Sequence, residues 1–94
     1  PMKHHFEWDD EKARTNLKKH DVGFQEASTI FYDPMFITFL DEEHSIDEER
    51  YITIGLSNKQ RLLMVAHTER GDKIRIISAR KAAKNEENFY AEAG

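Results

Sequence analysis

The sequence predicts an α+β fold with a short first strand, two helices, a four-stranded antiparallel sheet and a closing helix. Three observations carry that expectation. Apolar residues recur at helical spacing through the first third of the chain. From residue 36 onward the period drops to two, in segments rich in β-branched and aromatic side chains. Between the last two such segments stands Gly71-Asp72, a two-residue hairpin signal of the positive-φ type. The 94 residues suit one domain spanning 1–94, with Pro1 ahead of Met2 reading as a residue left by cloning.

Phe6-Glu7-Trp8, apolar-polar-apolar, gives the first strand. Asp9 then offers a side-chain acceptor to a helix N-terminus, with Asp10 and Glu11 in the first turn. Ala13 and Leu17 lie one helical repeat apart, and Lys18, Lys19 and His20 gather where cations suit the helix dipole. A helix over 10–19 follows, broken at residues 21–23. Phe24, Ala27, Ile30 and Phe31 mark a shorter second helix that Asp33-Pro34 terminates. Strands are expected over 36–40, 51–56, 62–67 and 73–78. Short connections make consecutive strands antiparallel, so the sheet is a meander with two helices on one face. Residues 82–92 read as a terminal helix, with Phe89 and Ala93 as its inward side.

Composition narrows the function classes. Cysteine is absent, which removes a disulfide framework and fits a reducing, cytoplasmic compartment. No apolar run approaches the ~20 residues that span a bilayer, and no signal-peptide core opens the chain. Fourteen basic residues against 18 acidic ones give a net charge of −4, which argues against a free nucleic-acid binder. The charges are segregated, however: residues 41–49 hold six acids, while residues 70–84 hold six Lys or Arg and one acid. That polarity permits a cationic site on an acidic protein.

Metal chemistry finds no ligand signature. Five histidines include no HxxxH pair, and the acidic loop lacks the calcium-loop pattern. No cofactor is implied either, because the four glycines form neither a GxxxxGK nor a GxGxxG cradle, and no serine sits in a GxSxG elbow. What remains is a set of cations, histidines and carboxylates on a small sheet. Cleaving RNA beside its own 2′-hydroxyl needs a base, an acid and cations around the phosphorane, and arginine suits the last task because its planar fork meets two oxygens. In the last strand, alternation puts Ile74, Ile76, Ser78 and Arg80 on one face and Arg75, Ile77 and Ala79 on the other. Arginines in such places, Arg70 included, are more often solvated rim charges than catalysts. Lys19-His20 is more often a helix end, Glu49-Arg50 a local ion pair, and a strand histidine such as His67 a packed residue. Tyr90 is either core filler or a stacking surface for a base.

Taken together, Phe6-Glu7-Trp8-Asp9, Lys12, Asn16, Lys19-His20, Phe24 and Glu26-Ala27 resemble the opening of the BrnT family of bacterial toxins. The resemblance continues through Asp33-Pro34, His44-Ser45, Glu49-Arg50, Gly55-Leu56-Ser57, Thr68-Glu69-Arg70 and residues 74–82, and closes at Glu86 and Tyr90. It implies a RelE-like fold and a metal-independent ribonuclease that arrests translation as the toxin of a type II toxin–antitoxin pair. The implied partner is a BrnA-like antitoxin that binds DNA, represses the operon and joins two toxins to two antitoxins. DNA is then contacted only through the antitoxin. Carried onto this chain, the family's catalytic candidates are Arg70, Arg80, Glu49, Arg50 and His20. Lys19, Arg75, Lys81 and Tyr90 are candidates for RNA contact. Exposed Phe, Ile or Met on the uncovered sheet face would serve antitoxin binding. A non-catalytic module that binds the antitoxin, or a toxin that has lost cleavage, is the competing expectation.

Overall fold

The computed structural model describes residues 4–93, which leaves Pro1 outside the described residues. Five strands, β1 (His5–Glu7), β2 (Ile37–Leu40), β3 (Tyr51–Leu56), β4 (Leu62–Arg70) and β5 (Lys73–Lys81), form one sheet in the order β1-β5-β4-β3-β2. Three helices accompany it: α1 (Asp10–His20), α2 (Phe24–Ser28) and α3 (Lys84–Ala93), with a 3-10 turn at Thr29–Tyr32. The expected four-stranded antiparallel sheet is thus corrected to a five-stranded mixed one. Strands β2 to β5 do form the antiparallel meander, but β1 adds parallel to β5, with Phe6 opposite Ile74. A three-residue strand carries no information about a partner more than sixty positions away, and parallel pairing cannot be inferred from connection length.

Local chemistry explains the helix ends. Asp9 accepts from the Lys12 N–H at 3.0 Å and caps α1. At the other end Asp21 takes the left-handed conformation (φ 58°) and donates its N–H to Leu17 O, so this aspartate performs the stop that glycine usually performs. The sharp turn into β2 is organised by Asp33. Its carboxylate accepts from the Met35 N–H, from the Leu56 N–H of β3 and from the Tyr90 hydroxyl of α3 at 2.6 Å. Gly55 is required by close approach: a Cβ there would lie 3.0 Å from both Cβ and O of Ile30.

The core lies between the sheet and the α1–α2 layer. Val22, Phe24, Ala27, Ile30 and Phe31 from that layer meet Leu63 and Val65 of β4 and Ile76 and Ala79 of β5. The expected stripe of the second helix is therefore the buried one. This inner face of the sheet is apolar apart from a hydroxyl–imidazole chain in which Thr38 bonds Thr53, and Thr53 bonds His67 Nε2 at 2.7 Å.

Two expectations about faces are corrected. A bulge interrupts the β4–β5 ladder: Ala66 pairs with Ser78 and His67 with Ile76, leaving Ile77 as the extra residue. Ile74, Ile76 and Ala79 consequently share the inner face, and Arg75, Ser78 and Arg80 share the outer one. Helix α3 lies on that outer face, where the Phe89 ring meets Phe39 edge-on at 5.8 Å. Phe89 remains 52% exposed and Ala93 is exposed as well, so the expected inward side of this helix is mostly solvated. Of the sheet it lies on, Phe39 and Ile54 line the cleft beneath it, and hydrogen bonds from Arg80 to Glu86 and from Tyr90 to Asp33 fix its orientation.

Beyond Arg75, β1 no longer covers β5, and the backbone edge of β5 would be bare. Asn16 of α1 fills it. Its Oδ1 accepts from the Ala79 N–H at 3.0 Å, while its Nδ2 donates to Ala79 O at 2.8 Å and to Val22 O at 2.9 Å. Asn16→Leu keeps the branched shape but strands three buried backbone groups, so a loss of about 2–4 kcal/mol is expected in urea unfolding. A loss below about 0.5 kcal/mol would contradict this role of the amide.

Candidate RNA-cleaving face

The outer face divides into a half under α3 and an open half. Continuing the pairing of Tyr51 with His67 by one residue puts Arg50 level with Thr68, which itself pairs with Arg75, and Arg75 in turn lies opposite Glu7. Thr68, Arg75 and Glu7 therefore form one row across β4, β5 and β1, and Arg50, the residue before β3, stands at its other end. The two arginine backbones are about 10 Å apart on either side of Thr68. Thr68 is 2% exposed, and its hydroxyl oxygen has no hydrogen-bond partner among the described residues. Arg75 Nη1 donates to Glu7 Oε2 at 3.1 Å. The Arg50 main chain is held by Ser45 and Asp41, whereas its guanidinium has no ion-pair partner among the described residues.

The remaining candidates lie around this row. Arg70 is at one end of the β4–β5 hairpin, 3.5 Å from Glu48. Arg80 is at the other end, opposite Met64, and its guanidinium meets both carboxylate oxygens of Glu86 at 2.9 Å. Seven residues of strand separate the two ends, roughly 20 Å, so Arg70 and Arg80 cannot close on one phosphate in this conformation. The bulge does bring Arg70, Arg75 and Arg80 to a common face, which simple alternation would have forbidden. Lys19 and His20 end α1 beside Ser78 in a groove of about 300 Å³ that Lys12 and Ile77 also line. That groove opens at the free edge of β5, about 10 Å along the strand from Arg75.

Three candidates stand apart. Glu49 accepts from the Tyr51 hydroxyl at 3.1 Å, and Tyr51 belongs to the inner-face row with His67, so the carboxylate faces away from Arg50. Lys81 is exposed at the strand end. Tyr90 is committed to Asp33: burial first, then the Asp33 hydrogen bond and charge, push its phenol up to about 12. This commits its hydroxyl to holding α3. The sequence singled out neither Glu7, Thr68, Ser78 nor Glu86 for a role. Thr68 carried a signal, since alternation in β4 places it with Arg70, but its neighbours depended on the pairing of strands.

Other polar clusters are structural. Glu26, buried on α2, takes hydrogen bonds from Arg61 Nε at 2.9 Å and Ser57 at 2.7 Å. The Arg61 bond is the main cause holding that carboxyl below its usual range, with burial opposing it. Among the described residues no group of three or more His, Asp or Glu could hold a metal, and no helix is long and apolar enough to cross a membrane.

Residues 8–86 match the family described as the ribonuclease toxin, BrnT, of type II toxin–antitoxin systems. The chain belongs to the BrnT family. No curated protein matches it in sequence. Among solved structures, the Brucella abortus ribonuclease toxin, BrnT, superposes with a TM-score of 0.66 at 22% identity, covering 87% of this chain and 100% of that one. Such a likeness supports the fold, an α+β sandwich of mixed sheet and helices. Membership of the BrnT family makes this chain a ribonuclease toxin of a toxin–antitoxin system, with an antitoxin as its partner.

His67 is a packing residue in this BrnT chain. It lies between Phe31, edge-on at 5.0 Å, and Tyr51, and burial pushes its imidazole down to about 4. The folded state thus holds it neutral where the unfolded chain, with an ordinary histidine pKa near 6.5, binds a proton. Stability contributed by the neutral ring is complete above that pKa and is lost as pH falls from there toward 4. Urea unfolding at pH 5 should give a stability about 2 kcal/mol below that at pH 7. The His67→Gln variant should lose most of that slope; an unchanged slope would assign it to other groups.

Proposed function

We propose that this chain is a metal-independent endoribonuclease that inhibits translation, with its site on the open half of the outer face. The observation that carries the reading is the row in which Arg50 and Arg75 flank the unpartnered Thr68 hydroxyl. Two guanidinium forks can meet a phosphodiester from one side, where the phosphorane gathers negative charge, with the buried Thr68 hydroxyl beneath the surface between them. Glu7 orients Arg75 by its hydrogen bond. A single strand of RNA lying along the hairpin meets Arg70, Arg75 and Arg80 in succession, which gives them binding roles at neighbouring phosphates.

In the reaction the RNA 2′-oxygen attacks phosphorus and the bond to the 5′-oxygen breaks. The 2′-proton passes to a base and the departing 5′-oxygen takes a proton from an acid, leaving a 2′,3′-cyclic phosphate and a 5′-hydroxyl. Lys19 and His20 line the groove beside Ser78, about 10 Å along β5 from Arg75. In this conformation they lie too far from the row to take the 2′-proton of a phosphodiester held there, and their proposed role is contact with the RNA strand. The antitoxin is a BrnA-like DNA-binding protein in a complex of two copies of each chain, which touches DNA on the toxin's behalf. The acidic 41–49 segment, with Ile46 87% exposed, and the half-exposed Phe39 and Leu40 of edge strand β2 offer it an apolar and acidic surface.

The test is incubation of the purified chain with end-labelled RNA in EDTA, beside Arg75→Ala and Arg50→Ala. Cleavage by the parent is expected, reduced by a factor of roughly 10²–10⁴ in each variant. Parent activity abolished by EDTA would overturn metal independence. Intact RNA in every lane would favour a non-catalytic module that binds the antitoxin and tunes repression.

A further inference from the structure

The half of the outer face under α3 contains Arg80 in an unusual state for an RNA-facing cation. Its two terminal nitrogens engage both oxygens of Glu86 in the parallel fork geometry that a phosphate also satisfies. Glu86 is fixed in turn, because its Oε1 accepts from the Ala83 N–H at 2.7 Å as the third residue of α3. Burial alone would push this carboxyl up, but the bonds from Arg80 and Ala83 outweigh it and hold the group ionised below the usual range.

The helix that delivers Glu86 is weakly attached. None of its described residues is buried, and a ten-residue helix has little stability of its own in water. Among the described residues it is held by Arg80–Glu86, the Tyr90 bond to Asp33, and the edge-on Phe39–Phe89 pair. Beneath it lie Ile54, fully buried, and Phe39, which line a cleft of about 520 Å³ with Asn85, Glu86 and Phe89.

We propose that Glu86 is an intramolecular stand-in for an RNA phosphate, and that α3 is a latch which keeps Arg80 neutralised until a nucleic-acid strand displaces the carboxylate. This rests on the reading of the outer face as the RNA-binding face and adds a regulatory contact to it. The latch exchanges one charge-assisted pair for another, so the closed state weakens non-productive RNA binding without removing the cation. It also gives the acidic chain a means of presenting one more positive charge only when a phosphate is there to meet it.

The test uses a non-cleavable probe, a fluorescein-labelled 2′-O-methyl oligonucleotide, titrated with the full chain at several salt concentrations. Glu86→Gln keeps the cap to Ala83, because glutamine serves at that helix position, but removes the competing charge. Phe89→Ala loosens the helix from its other side and leaves Glu86 intact. Both should bind the probe roughly three- to tenfold tighter than the parent. In Glu86→Gln the slope of log affinity against log salt should steepen by about 0.7, the value for one further phosphate neutralised on a single strand. Arg80→Ala should bind more weakly than the parent, and adding Glu86→Gln to it should change nothing. Binding unchanged or weakened in Glu86→Gln, with the circular dichroism of the parent retained, would overturn the latch while leaving the RNA-binding face intact. Absence of binding by the parent and every variant would overturn that face, and the latch with it.

Discussion

Three hydrogen bonds from one buried amide set the geometry on which the rest depends. Strand β1 covers β5 only from Lys73 to Arg75, and from there the edge of β5 needs partners that no strand supplies. Asn16 provides an acceptor and a donor to Ala79 and a second donated bond to Val22 O, which ties α1, the turn into α2 and the sheet edge at a single point. An amide suits this task because it alone among side chains of that size offers both functions in one plane. The same bonds decide where α1 ends relative to the sheet. They bring Lys19 and His20 to the rim of the outer face instead of leaving them on a solvated helix tip.

The second constraint is the division of labour between the two sheet faces. The inner face spends its residues on a thin core, and the acid buried beside it, Glu26, is tightly paired with Arg61 and Ser57. The outer face collects the cations, and each of Arg70, Arg75 and Arg80 sits beside an acid: Glu48, Glu7 and Glu86. A net charge of −4 is therefore compatible with a surface that receives a polyanion. On the proposed reading the acids are partners that a phosphate would replace, and the strength of each pairing would grade how readily each arginine becomes available. Exposed pairs such as Arg70–Glu48 hold their charges loosely, whereas the forked Arg80–Glu86 pair has fixed geometry.

Much of the fold was legible in the chain. The Asp9 cap, the 10–19 helix, the Phe24–Ala27–Ile30–Phe31 stripe, the hairpin at Gly71-Asp72 and strand β3 are local features, written in spacing and in turn chemistry that neighbouring residues settle among themselves. The family motifs were legible for the same reason, because they are short runs that need no knowledge of pairing. Of the site, the residues were visible but their grouping was not. Arg75 and Arg80 were separated by strict alternation, and Arg70 was grouped with Arg80 only through the resemblance to the family.

The amino-acid sequence by itself determined the element types, the hairpin and the stock of cationic and titratable side chains, since these follow from backbone propensity and composition. Only the tertiary structure decided which of those side chains meet. The Ile77 bulge turned Arg75 and Arg80 to one face, the parallel addition of β1 set Glu7 against Arg75, and the placement of α3 gave Arg80 to Glu86. Each depends on a register between segments far apart in the chain. Register is chosen by the burial of a whole face against its neighbours, a sum over many residues that no local pattern contains.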